Sequence, residues 1–260
     1  MRVTAAEIRR RKAEPFAVMT AYDAAFARIA EAAGIDVLLV GDSLGMVVLG
    51  YDDTTSVELS DIVRHTGAVA RATEHAHIIA DLPFGSYQAS DEDAVRSAIA
   101  VVKAGASSIK LEGSEAMVPR VRAIVGAGIP VMAHIGVQPQ TAALETGYRK
   151  QRDVDALLRD ALAHAAAGAY GLLLEMVDDK AAAEVTAKLA IPTVGIGAGP
   201  SCDGQVLVLH DVLGLYPDPP SFVRKYADLA TVATDALRKY AEDVRTKRFP
   251  GSPISSVIGR

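Results

Sequence analysis

Four short apolar runs in this chain each deliver a carboxylate at their end: VLLVGD to Asp42, HIIAD to Asp81, SSIKLE to Glu112 and YGLLLE to Glu175. An apolar interior does not tolerate a lone charge, so such acids need a cation, hydrogen bonds or a catalytic task. Oxygen ligands from Asp42, Asp81 and Glu112 would suit a hard divalent ion such as Mg2+, with one of the three free to orient a bound water. For any one acid taken singly the competing role is a helix cap or a turn hydrogen bond; acids at matching strand ends favour a shared ion. Lys110 shares a strand with Glu112 and, at a side-chain period of two, points to the same face. It is either a cation that holds a substrate carboxylate or half of a structural ion pair. Glu175 ends the most apolar run. Hydrophobic surroundings favour its neutral form and poise it as a proton acceptor near neutral pH, unless it is a hydrogen-bonded structural acid. His134 in VMAHIG is a general acid, a hydrogen-bond donor to substrate or a structural histidine, and His210 in VLVLHD has the same choice.

The elements that must carry these residues are legible. Strand-like runs lie near 16–22, 37–42, 77–82, 107–112, 130–135, 171–177, 192–197 and 205–210. Their short, unbroken apolar character is that of strands buried on both faces. Between them, 91–104 and 153–167 show helical spacing, and Ser90 with Asp93 makes a capping-box-like start. Gly34, Gly105, Gly128 and Gly168 each follow an alanine and precede a strand, as residues that close helices in the left-handed conformation do. Eight such units in roughly 250 residues predict a (β/α)8 TIM barrel with a parallel sheet. An open doubly wound sheet is the competing arrangement. Only AGPSCDG separates the last two runs, too short for a crossover helix, so a minimal connection is expected there.

Thr4 to Ala13 reads as an extra N-terminal helix, within a helical segment 1–15, that could plug the far end of the barrel. Phe222 to Thr246 reads as a long final helix, and 247–260 as a loose tail. No linker divides the chain, which is read as one domain over 1–260.

Composition narrows the classes further. The chain has 260 residues, and no window approaches the roughly 18 unbroken apolar residues of a membrane span. The N-terminal basic residues have no apolar core behind them, so no secretory signal is expected. A single cysteine, Cys202, forbids an internal disulfide framework and fits a reducing cytoplasm. A net charge of −5 and the absence of Trp argue against a nucleic-acid partner. GIGAGP breaks the dinucleotide fingerprint at Pro200, and nothing marks Cys202 as a nucleophile.

Together MTAYD (19–23), VGDSLGMVVLGYDDT (40–54), ADLPFGSY (80–87), IKLEG (109–113), HIGVQPQ (134–140), LLLEMV (172–177), IPTVGIGAG (191–199) and CDGQVLVLHDVLG (202–214) resemble the ketopantoate hydroxymethyltransferase family. The likeness runs from about Val3 to Pro250. It implies a barrel of the phosphoenolpyruvate/pyruvate type, a Mg2+ requirement, a homodecamer and a place in pantothenate biosynthesis. The substrates implied are 3-methyl-2-oxobutanoate and 5,10-methylenetetrahydrofolate. Carried over by position, Asp42, Asp81 and Glu112 match metal-site carboxylates. Asp42, Ser43, Asp81 and Lys110 match oxoacid-binding positions, joined by His134 as a candidate, and Glu175 matches the base. The chain departs from the family pattern at TGYRKQRD, Thr146 to Asp153, which leaves the folate side open; Arg149, Lys150 and Arg152 there either attract a polyglutamate tail or form a solvated basic loop. Rival readings are a related lyase or mutase acting on oxoacids, although the lyases' cysteine loop is missing, and a non-catalytic barrel.

Overall fold

A computed structural model describes residues 1–142, 144 and 147–251 of the chain. By internal contacts the chain forms two units, Met1–Leu209 and His210–Arg260. The first contains eight strands: β1 (Phe16–Thr20), β2 (Val37–Val40), β3 (His77–Asp81), β4 (Ser108–Glu112), β5 (Val131–Gly136), β6 (Gly171–Glu175), β7 (Thr193–Ile196) and β8 (Gly204–Leu207). All eight pair in parallel in sequence order, and β8 returns to β1 to close the barrel. The helices before the last strand are α1 (Ala5–Arg10), α2 (Ala24–Ala32), α3 (Leu44–Val47), α4 (Leu59–Ala72), α5 (Asp91–Ala104), α6 (Val118–Gly126), α7 (Pro139–Ala142), α8 (Val154–Ala166) and α9 (Asp179–Lys188). α10 (Leu209–Val212) and α11 (Leu229–Arg245) follow β8.

Two apolar layers hold the barrel. Outward side chains such as Leu38, Ile78, Ile109, Val131 and Leu172 pack against the helices. Inward ones, among them Val18, Leu39, Ile79, Met132, Leu173, Val194 and Val206, fill the interior. Ile8 of α1 is fully buried in that interior cluster, so the N-terminal helix does plug one end. A capping box of Thr4 and Glu7 starts this helix. The Arg2 guanidinium donates to the carbonyl oxygens of Ala70, Thr73 and Ala76 and ties the segment beneath α4. Gly34, Gly105, Gly128 and Gly168 all have positive φ, as their place at helix ends requires. β7 and β8 are joined without a helix, and Asp203 secures the link by accepting from the Thr193 and Ala13 amides and pairing with Lys12 at 2.9 Å.

Two helix boundaries differ from the sequence expectation. α1 ends at Arg10, not Ala13, where the backbone has turned to a positive φ of 67°. The final helix starts at Leu229, not Phe222. The Asp228 side chain caps it by accepting from the Thr231 amide, while the Tyr226 and Leu229 amides bond the carbonyl oxygens of Val212 and Leu213. Those amides are drawn into a turn instead of a helix start. α11 buries no residue, and Val232, Leu237 and Tyr240 are exposed along it. Of the tail expected over 247–260, positions 252–260 lie outside the described residues, as does Thr146 in the divergent loop. No helix among the described residues is long and apolar enough to cross a membrane.

Candidate active site

The strand register explains how the acids meet. Asp81 on β3 pairs with Lys110 on β4, Glu112 with His134 on β5, and Gly136 with Glu175 on β6. Each step moves two residues along, so the inward positions climb round the carboxyl ends of the strands as barrel shear requires. That is the end of a parallel barrel at which active sites form. Asp42 joins from the loop after β2. Gly41 between them has no side chain, and a Cβ there would stand 2.9 Å from Ser43 Oγ and 3.5 Å from Asp81 Oδ2. Glycine keeps that corner open.

The contacts are dense. Lys110 Nζ lies 2.5 Å from Asp81 Oδ1 and 3.9 Å from Glu112 Oε1. The Asp42 amide donates to Asp81 Oδ2 at 2.9 Å. His134 stands between two acids, with Nδ1 3.6 Å from Glu112 Oε1 and Nε2 3.4 Å from Glu175 Oε2, both longer than a normal hydrogen bond. The Tyr22 hydroxyl and Ser43 Oγ are 2.8 Å apart. Asp42, Asp81, Lys110, Glu112 and His134 are buried, whereas the Glu175 side chain is 21% exposed.

Burial dominates the electrostatics. It raises Asp42 to about 7, aided by the charge of Asp81. It raises Glu175 to about 8 against the opposing pull of Lys110, and lifts Glu112 well above the carboxylate range, with Asp42 adding to the effect. Burial alone would lower Lys110, but Asp81, Glu112 and Asp42 outweigh it and hold the ammonium charged. His134 is driven well below its ordinary value by burial and by Lys110, so its ring is neutral. The site therefore holds four carboxyl groups against one cation.

The opposite end of the barrel also contains buried polar groups, but these satisfy one another. His77 Nε2 lies 2.8 Å from Ser108 Oγ, which lies 2.9 Å from the Tyr170 hydroxyl, and His77 Nδ1 reaches the Val3 carbonyl oxygen at 2.9 Å. Burial lowers His77 to about 4, so its ring is neutral.

Among the described residues, no three His, Cys, Asp or Glu side chains stand as a ready-made metal cage. The donor chemistry nonetheless fits a hard cation, because acids held protonated by burial would regain charge beside one. Mg2+ also needs only one or two protein carboxylates, with water and substrate completing its shell.

The structure brings together Asp42, Ser43, Asp81, Lys110, Glu112, His134 and Glu175. His210 lies in the second unit, and Cys202 is buried against Thr186 and Thr193, where burial raises its thiol. Lys150 in the divergent loop is paired with Asp179 at 2.8 Å. Two residues not singled out from sequence also belong to the site. Gln140 donates from Nε2 to Asp42 Oδ2 at 2.8 Å and from its amide to Glu112 Oε2 at 3.2 Å. The Tyr87 hydroxyl lies 2.7 Å from Gln140 Oε1 and 2.9 Å from the Glu112 carbonyl oxygen.

A sequence-family profile described as ketopantoate hydroxymethyltransferase matches residues 2–252. The chain belongs to that family. Within the ketopantoate hydroxymethyltransferase family, a 3-methyl-2-oxobutanoate hydroxymethyltransferase of Acidothermus cellulolyticus is 52% identical over 254 residues, covering 96% of this chain and 94% of its own length. One of Ignicoccus hospitalis is 48% identical over 242 residues, covering 92% of each. Membership of the ketopantoate hydroxymethyltransferase family makes the chain an enzyme, a transferase. Among solved structures, a 2,3-dimethylmalate lyase of the PEP mutase/isocitrate lyase superfamily has a TM-score of 0.64 at 19% identity, covering 99% of this chain and 93% of its own. A phosphoenolpyruvate phosphomutase of Streptomyces platensis has a TM-score of 0.66 at 16% identity, covering 98% and 92%. At such identities these likenesses concern the barrel alone.

Proposed function

We propose that the enzyme transfers a hydroxymethyl group from 5,10-methylenetetrahydrofolate to 3-methyl-2-oxobutanoate, giving 2-dehydropantoate and tetrahydrofolate. The observation that carries this reading is the cluster of four carboxyl groups around Lys110, with Glu175 at its accessible edge and raised to about 8. One Mg2+ per subunit, held by Asp42 and Asp81 with Glu112 as ligand or as orienter of a water, would supply Lewis-acid stabilisation of the charge that develops on the oxoacid.

The chain's own groups divide the remaining work. Lys110 and Ser43 hold the oxoacid in register, and His134, as a neutral donor, hydrogen-bonds it. Glu175 takes the proton from C3, a role suited to a base whose pKa lies near the working pH. The resulting carbon nucleophile bonds to the one-carbon unit of the folate. The two bonds from that carbon to the folate nitrogens break, water supplies the hydroxyl group, and the nitrogens take up one proton from that water and the one that Glu175 removed. Exclusion of bulk water by the buried acids keeps these charges effective.

By the same reading the product feeds pantothenate and then coenzyme A synthesis, and the enzyme works in the cytoplasm as a homodecamer. Light scattering tests the assembly, with ten chains expected. The reaction itself is tested by incubating the enzyme with both substrates and Mg2+ and following 2-dehydropantoate by mass spectrometry. Product that disappears on chelation is expected. Absence of product would overturn the transfer, and full activity after exhaustive chelation would overturn the metal.

A further inference from the structure

Gln140 is only 1% exposed, and its amide is fully engaged. Oε1 accepts from the Tyr87 hydroxyl at 2.7 Å and from Gln88 Nε2 at 3.2 Å. Nε2 donates to the Leu82 carbonyl oxygen at 2.9 Å and to Asp42 Oδ2 at 2.8 Å. Gln88 is itself oriented, since its Oε1 accepts from the Gly85 amide at 2.8 Å. With a fixed donor facing Oε1 and a carbonyl that can only accept facing Nε2, the Gln140 amide has a single orientation. Its main-chain N–H meanwhile donates to Glu112 Oε2.

One residue thus grips one oxygen on each of two acids that arrive from different parts of the barrel. Gln140 leaves Oδ1 of Asp42 and Oε1 of Glu112 ungripped, the latter 3.9 Å from Lys110 Nζ and 3.6 Å from His134 Nδ1.

We propose that Gln140 is a positioning residue: it selects which oxygens of Asp42 and Glu112 face a divalent cation, and so sets the affinity for that cation without touching it. The inference rests on the functional reading above. Physically, a carboxylate already clamped by one oxygen does not have to be ordered when the ion binds. Groups that hold metal ligands from behind typically contribute about 10–100-fold in affinity.

The test uses the full chain and Mn2+ alone, with free Mn2+ followed by electron paramagnetic resonance and folding followed by thermal melts. Two variants are compared with the wild type. Gln140→Met keeps the length but removes both donors of the amide, and Gln140→Asn keeps the amide but draws it back by one methylene. Both retain the main-chain donor to Glu112. The Kd for Mn2+ is expected to rise about 10–100-fold in the folded variants, with the oxoacid KM rising in parallel. If Gln140→Met does not fold, Gln140→Asn decides. A Kd within twofold of wild type, whatever happens to the melting temperature, marks a purely structural residue and overturns the proposal. Wild-type protein that takes up no Mn2+ overturns the functional reading first and this inference with it, so the two failures are told apart.

Discussion

Nε2 of His134 stands 3.4 Å from Oε2 of Glu175, while Nδ1 of the same ring stands 3.6 Å from Oε1 of Glu112. A neutral imidazole carries one N–H and can donate to only one group at a time. Both contacts are longer than a normal hydrogen bond, so it is by packing that the ring limits where the Glu175 carboxyl group sits. Replacing it by Asn is predicted to slow proton removal at C3 about 100-fold, the scale of an ångström's misplacement, and to leave Mn2+ affinity unchanged. Deuterium exchange into the oxoacid, followed by NMR, measures the first, and an undiminished exchange rate would refute this role.

Lys110 is the only cation in contact with Asp81, at 2.5 Å among the described residues. Lys110→Met leaves that acid buried without a cation, with only the Asp42 amide as donor among the described residues. A loss of about 3–5 kcal/mol is expected in cation-free urea melts, as for broken buried pairs, together with a raised oxoacid KM. Stability equal to wild type would mean that the pair contributes nothing.

The pH dependence of stability has a defined window. Asp42 at about 7 and Glu175 at about 8 are raised by burial above their unfolded values, so the native state binds those protons more tightly. Their contribution is complete at low pH and is lost as pH rises through the folded values. His77, His134 and His164 are shifted down by burial, which costs stability only below their unfolded value of about 6.5. Between pH 6.5 and 8 the histidine contribution fades and that of the acids prevails. The melting temperature of the cation-free protein is predicted to fall across that range, and Mg2+ is predicted to restore more of it at pH 8, because the ion competes with those protons. A melting temperature that climbs over the same range without metal would contradict this balance.

Stability and chemistry are separable at the two ends of the barrel. Ile8→Ala opens a void under the interior cluster, and a loss of about 2–5 kcal/mol is expected. Turnover per folded molecule should stay at the wild-type value, since the plug lies at the end away from the acids. A drop in kcat without unfolding would show that the plug shapes the mouth.

Much of this was legible in the sequence because strands buried on both faces are unbroken apolar runs, and each of the eight ends near where its run ends. The acids could be found for the same reason: Asp42, Asp81, Glu112 and Glu175 interrupt or end those runs. The start of the last helix was hidden because Val223, Tyr226 and Ala227 continue its apolar spacing, while the amides there bond carbonyl groups at 212 and 213. Gln140 and Tyr87 were hidden differently. Gln140 meets Asp42 across 98 positions, and Tyr87 meets Glu112 across 25. Local periodicity carries no record of such pairings.

The proposed role of Glu175 as the base that opens the reaction is read out by C3 deuterium exchange in the oxoacid, with Mg2+ present and folate absent, comparing wild type with Glu175→Gln. Ready exchange is expected in the wild type and a fall of at least about 100-fold in the variant, with oxoacid binding retained. Exchange at the wild-type rate in Glu175→Gln would contradict that role.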